Sequence, residues 1–212
     1  MPRILATLTA AGLILAPLSA FAETSLESIV RSGDVSALKA ALETGADVNE
    51  VFGTYDTSAL MLAAIRGDTA MVAALLDAGA DPDWVNQRGA SALSAVARSC
   101  SAGWDVAAVL LDAGADIENR SGAALTPLMV AIQEERPTFV AGFLEHGADV
   151  NALNAYGEGA LNYAIYYEQP DFITALLDRG AATEPLKLLF TTGVYYYPNF
   201  GNARPHAVDC AI

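Results

Sequence analysis

Basic residues, histidine and cysteine are scarce in this chain. Its 212 residues hold 11 Lys and Arg against 25 Asp and Glu, with two His and two Cys. A formal net charge of −14 repels nucleic acid and anionic membrane surfaces, so no nucleic-acid partner is expected. His146, His206, Cys100 and Cys210 offer no pair at metal-ligand spacing, which argues against a zinc site. The chain carries no nucleophile elbow, no phosphate-cradling glycine loop and no dinucleotide fingerprint. No stretch gathers the several oxygen ligands of a calcium loop within a dozen residues. No enzymatic activity, metal or cofactor is therefore expected. The adjacent acids Glu134 and Glu135 read as a solvated helix end, not as a general acid and base.

Long apolar runs are missing too. An uncharged and mostly apolar run, Ile4 to Leu18, contains Pro17 and falls short of the roughly 20 residues that span a bilayer. With Arg3 before it and the small-x-small site Ala20-Phe21-Ala22 after it, residues 1–22 read as a secretory signal peptide cleaved after Ala22. An uncleaved membrane anchor is the alternative. No cysteine lies near the site, so a lipid anchor is not expected. The leader holds one Arg and no acid, leaving 10 basic against 25 acidic residues in the exported chain. Its style points to bacterial export, to the periplasm or beyond, with no membrane insertion after cleavage.

What the chain has in quantity is repetition. Gly-Ala-Asp stands at Gly45-Ala46-Asp47, Gly79-Ala80-Asp81, Gly114-Ala115-Asp116 and Gly147-Ala148-Asp149, with Gly180-Ala181-Ala182 as a weaker fifth copy. Successive glycines are 34, 35, 33 and 33 residues apart. A fixed period of this length marks a stack of small units, each burying its apolar face on its neighbours. About 19 residues before each glycine a hydroxyl or small residue precedes Leu, at Ser25-Leu26, Ser58-Ala59-Leu60, Ser91-Ala92-Leu93, Thr126-Pro127-Leu128 and Gly159-Ala160-Leu161. Such residues start helices by capping free N–H groups. Gly33, Gly67 and the tripeptide glycines are expected to end them. Each unit is then a short inner helix, a turn, a longer outer helix and a loop.

Thr126-Pro127-Leu128 and Gly147-Ala148-Asp149-Val150-Asn151 resemble the signature of the ankyrin-repeat family, over residues 23 to about 193. The resemblance implies an all-α repeat solenoid. Its repeats fall at about 23–52, 53–86, 87–121, 122–154 and 155–182, with a capping half-repeat at 183–193 and an aromatic tail, 194–212, folded back on the array. The recurring aspartates are expected to shape their turns through side-chain hydrogen bonds, not to line up as a cation ladder. His146 is expected to complement a helix end.

Partner contacts in this family commonly come from the ends of inner helices and from loop tips. By position these are Arg31, Arg66, Arg98, Gln133, Tyr166 and Tyr167 from the helices, and Tyr55, Trp84, Arg88 and Tyr156 from the tips. Arg, Tyr and Trp are the side chains that most often anchor interfaces. Two readings stay open for the arginines: a mixed basic and aromatic groove for a partner segment, or pairing with loop carboxylates such as Asp83 or Glu118.

Irregularities mark individuality. The third repeat runs 21 residues from Leu93 to Gly114 against 19 elsewhere, an insertion within residues 99–104 that puts Cys100 and Trp104 on a turn. The loop at Phe52-Gly53-Thr54-Tyr55-Asp56 is also lengthened. Export would place Cys100 and Cys210 where disulfides persist, and the tail is long enough to join them. Two separate thiols are the alternative. The chain is expected to be a monomeric, non-catalytic module binding a protein of unknown identity. Exported members resembling it include immunity partners that neutralise toxic enzymes and accessory factors in oxidative-stress defence.

Overall fold

A computed structural model describes residues 25–183. The expected leader, the half-repeat from Glu184 onward and the tail with Cys210 lie outside the described residues. Five helix pairs follow one another: α1 (Leu26–Ser32) with α2 (Val35–Glu43), α3 (Ala59–Arg66) with α4 (Thr69–Asp77), and α5 (Ala92–Arg98) with α6 (Trp104–Asp112). The fourth and fifth pairs are α7 (Pro127–Gln133) with α8 (Pro137–Glu145) and α9 (Ala160–Tyr166) with α10 (Pro170–Asp178). The odd-numbered helices pack side by side as an inner layer, and α2, α4, α6 and α8 form the outer one.

The expected caps start the inner helices. Ser25, Ser58, Ser91 and Thr126 each accept a hydrogen bond from the backbone N–H three residues on, satisfying a donor that the first turn leaves free. Gly159 has no side chain to offer. There Asn162 Oδ1 accepts from the Gly159 N–H instead, at 2.9 Å. Four of the five corners between paired helices hold a left-handed residue, and in the first two Gly33 and Gly67 supply it at φ 75°. Glu135 (φ 53°) and Glu168 (φ 55°) hold the same corner in the fourth and fifth repeats. Pro137 and Pro170 then open the outer helices with φ already set.

The core is one continuous cluster between the layers. Leu60, Leu93, Leu128 and Leu161 recur along the inner helices, facing Leu38, Met71, Leu75, Val106, Leu110, Phe139, Phe143 and Leu176 of the outer ones. All are buried, at about 1.5–3 kcal/mol per large side chain relative to exposure. No unit of this size could cover such a face alone.

The loops carry a second bond system that sets the spacing of the stack. Asp47, Asp81, Asp116 and Asp149 each accept, through Oδ1, the N–H two residues ahead, at 2.8–2.9 Å. The residue so fixed then reaches the next repeat. Asn49 accepts from Asp81 N, Asp83 from Asp116 N, Glu118 from Asp149 N and Asn151 from Ala182 N, all at 2.7–2.9 Å. The aspartates are turn-formers, and Asp83 and Glu118 are engaged with backbone, not with arginines.

Three features differ from the sequence expectation. The lengthened loop is a small hairpin in which β1 (Val51–Phe52) pairs antiparallel with β2 (Thr57–Ser58), pinned by buried Phe52. Trp104 is not on the turn: it is the first residue of α6 and lies edge-on to Phe139 and Phe143 of α8. Glu134 is half-buried and paired with Arg98 at 3.3 Å, so only exposed Glu135 is solvated. His146 caps α8, its Nδ1–H donating to the Gly142 carbonyl at 2.8 Å.

Candidate functional site: a tyrosine-walled groove on the concave face

The caps that start each inner helix also decide which side chains face the groove. Seven residues after the caps Ser58, Ser91 and Thr126 come Ile65, Arg98 and Gln133, and all three line one cavity of about 620 Å³. Deeper in the groove, α9 contributes Tyr163. The upper wall comes from loop tips, with Tyr55, Arg88, Tyr156 and Glu158. Thus five of the residues singled out from the sequence, Tyr55, Arg88, Arg98, Gln133 and Tyr156, surround a single cavity.

The upper wall is held by bonds between loops. The Arg88 guanidinium sits 3.7 Å from the Tyr55 ring centroid, a cation–π contact. Beneath it, Gln87 N–H donates to Tyr55 O at 3.1 Å and Gln87 Nε2 to Asp56 Oδ2 at 2.6 Å. Trp84 Nε1–H donates to Asp56 O at 3.1 Å, which ties the hairpin to the next loop while the indole stays partly exposed. Arg120 straps the third and fourth repeats by donating to Leu153 O at 2.5 Å. Gly89 is required where loops meet, since a Cβ there would come within 2.7 Å of Gly122 N. Tyr55 and Tyr156 are therefore exposed side chains on a braced frame.

The other five chosen residues lie elsewhere. Arg31 bonds Glu27 on its own helix at 2.8 Å, which contributes little at an exposed site. Arg66 is exposed, one residue beyond the lining position, and makes no ion pair among the described residues. Trp84 braces the hairpin. Tyr166 meets Tyr167 edge-on at 4.9 Å. Tyr167 is half-buried, and burial pushes its phenol well above the usual range, so it stays neutral. Missed from the sequence were Met61, Leu125, Glu158 and Tyr163. Tyr163 had a readable sign, a phenol four residues after the cap, where the second to fourth repeats carry Leu62, Ala95 and Val130.

The groove floor is held from below by charge. Arg136 donates to the Ser99 carbonyl and, at 2.9 Å, to Ala102 O, so one guanidinium closes the inserted corner that carries Cys100. Ser99 Oγ donates to Ile65 O at 2.6 Å on the other side. Burial raises Glu134 above the ordinary carboxylate value, against the pull of Arg98 and Arg136, and burial lowers Arg136. Among the described residues no three His, Cys, Asp or Glu converge to hold a metal ion. No described helix is long and apolar enough to cross a membrane.

Paired helices, laddered loops and a continuous concave groove define a repeat solenoid of the recognition type. A family model described as ankyrin repeats (3 copies) matches residues 26–121 and 110–185. The chain belongs to the ankyrin-repeat family, whose repeats generally mediate protein–protein interaction and are typically non-catalytic. No curated protein matches the sequence.

Proposed function

We propose that this chain is an exported, non-catalytic adaptor that holds a segment of a partner protein in the concave groove. One observation carries the reading: residues distant in sequence, Tyr55, Arg88, Arg98, Gln133 and Tyr156, meet around one cavity of about 620 Å³. That volume lies within the range of a built recognition site, and it suits a few side chains of an extended segment more than a folded domain. Tyrosine faces offer apolar area at small entropic cost, while Arg88, Arg98 and Glu158 orient the occupant. Residues 1–22 support the periplasm as its compartment.

Affinity capture from periplasmic extract, identified by mass spectrometry, tests this when paired with the double variant R88E/R98E. The reading requires one dominant protein that the variant fails to retain. Retention by both, or by neither, contradicts it. Two partner classes are separated by deletion of the gene. Death only in the presence of a toxin marks an immunity protein, and peroxide sensitivity marks an accessory of oxidative-stress defence.

A further inference from the structure

Resting on the groove as the partner-binding surface, we infer that the segment it holds is extended and charge-ordered. An acidic side chain of that segment faces the third repeat and a basic one faces the fifth, roughly six residues apart. The loop tips are built alike at both ends. Asn86 Oδ1 accepts the N–H groups of Arg88 and Ala90, at 2.9 and 3.0 Å. Two repeats on, Asn154 Oδ1 accepts those of Tyr156 and Glu158, at 2.8 and 3.0 Å. One side-chain amide shapes each tip. The same turn therefore presents a cation in the third repeat, and an aromatic ring with a carboxylate in the fifth.

Neighbouring tips are bonded to one another, which sets the distance between the charged ends. Gln87 N–H donates to Tyr55 O at 3.1 Å, Gly122 N–H to Gly89 O at 3.1 Å and Ala155 N–H to Ala123 O at 3.0 Å. Arg88 and Glu158 stand two repeat steps apart. At 8–10 Å per step that is roughly 20 Å, or about six residues of extended chain at 3.3 Å each. Between them the fourth repeat adds Gly122, Ala123, Leu125 and Gln133 to the cavity, and no charge. Glycine and alanine at the middle of the rim let a passing backbone come close.

Both ends carry charge that the fold leaves uncompensated. Arg88 and Glu158 form no ion pair among the described residues. Arg88 is exposed, with one guanidinium face on the Tyr55 ring, and stacking of a face leaves the edge N–H groups for a carboxylate. Arg98 pairs with Glu134 at 3.3 Å, yet its side chain stays half exposed. At the other end buried Asn154 donates through Nδ2 to Glu158 Oε2 at 3.0 Å and to the Tyr163 phenol oxygen at 3.1 Å. A carboxylate fixed among tyrosines suits the side chain of Lys or Arg.

Sign excludes the simpler occupants. A segment acidic throughout is repelled by the chain's net charge of −14 and sets an acid against Glu158. A segment basic throughout is drawn by that charge but sets a cation against Arg88 and Arg98. The ordered pair meets opposite charge at both ends, and the wrong patterns are rejected by repulsion as much as the right one is attracted.

Panning a random dodecapeptide display library against the purified full chain tests this. E158K, E158Q, R88E/R98E and R88Q/R98Q are panned in parallel, each first shown to be folded by circular dichroism. On the wild type, peptides with an acid and a base about five to seven residues apart are expected to be enriched about fivefold over other spacings of the same charges. E158K and E158Q should lose the preference for the base and keep that for the acid, and the arginine variants should do the reverse. Enrichment without that spacing, the same enrichment on wild type and variants, or no enrichment at all overturns the inference. Failure of the adaptor reading is separate. A partner protein captured by the wild type and lost from R88E/R98E would keep the groove as the interface and remove only the charge order.

Discussion

Trp104 lies flat against the backbone of Gly142, so closely that a Cβ on Gly142 would sit 2.4 Å from the indole Cε2 and Cζ2. Ordinarily Ala stabilises a helix interior over Gly by about 1 kcal/mol. Here overpacking costs about 1–3 kcal/mol and wins. We expect G142A to lower stability by about 1–2 kcal/mol in urea denaturation, and W104L to remove most of that penalty. Additive effects of the two changes would show that the contact does not matter.

Arg136 reaches back to two carbonyls of the inserted corner, Ser99 O and Ala102 O. Hydrogen bonds from a charged donor are worth about 1.5–3 kcal/mol each when partly shielded, and less as exposure grows. R136A is expected to cost about 2 kcal/mol and to speed amide exchange at residues 99–103. R136K, with a single ammonium, should recover less than half of the loss. Full recovery by Lys would mean that charge alone is at work.

The corner between paired helices gives an asymmetric pair of variants. Gly67 combines φ 75° with Ser101 O at 2.5 Å from any Cβ, so G67A meets both strain and a backbone clash. We expect a loss of more than about 2 kcal/mol. Glu135 already tolerates φ 53°. Replacing it by Gly relieves about 1 kcal/mol of strain and adds about as much chain entropy to the unfolded state, so E135G should stay within about 0.5 kcal/mol of wild type. Thermal melts of both decide this, and equal losses would refute it.

The period, the caps and the loop glycines were legible because each is a local, repeated requirement of backbone chemistry. Ser58, Ser91 and Thr126 announce their helices wherever they occur. The groove was only half legible. Ile65 faces the cavity and its neighbour Arg66 lies outside it, a difference of about 100° around the helix that the period alone does not orient. Arg66, whose charge marks it as an interface candidate in the sequence, lies outside the cavity. Trp104 was misplaced because an insertion reads as turn, whereas here the added residues end one position before α6 begins. The complementary sign was Gly142, a glycine inside an outer helix with no corner to make.

Glu118 stands where other repeats carry Asn49, Asp83 and Asn151, and burial raises its carboxyl above the ordinary value of 4.5 despite the bond from Asp149 N–H. A folded value above the unfolded one means that the fold binds the proton more tightly. Its contribution is therefore fully present below pH about 4.5 and is lost as pH rises through the raised folded value. Glu134 acts in the same direction. E118Q keeps the acceptor for Asp149 N–H without the charge. The melting temperature of E118Q relative to wild type should rise from pH 4.5 to 7, and a constant difference would contradict the assignment.

Binding itself is the central claim, and titration of the captured partner tests it most directly. Affinity is compared for the wild type, Y55A/Y156A in the groove and K39E on the outer face, each first shown to be folded by circular dichroism. Two exposed aromatic anchors at about 1–2 kcal/mol each correspond to a loss of roughly 30- to 1000-fold in Kd for Y55A/Y156A, with K39E within about threefold of wild type. Undiminished affinity in Y55A/Y156A, or an equal loss in K39E, would place the interface elsewhere and contradict the groove.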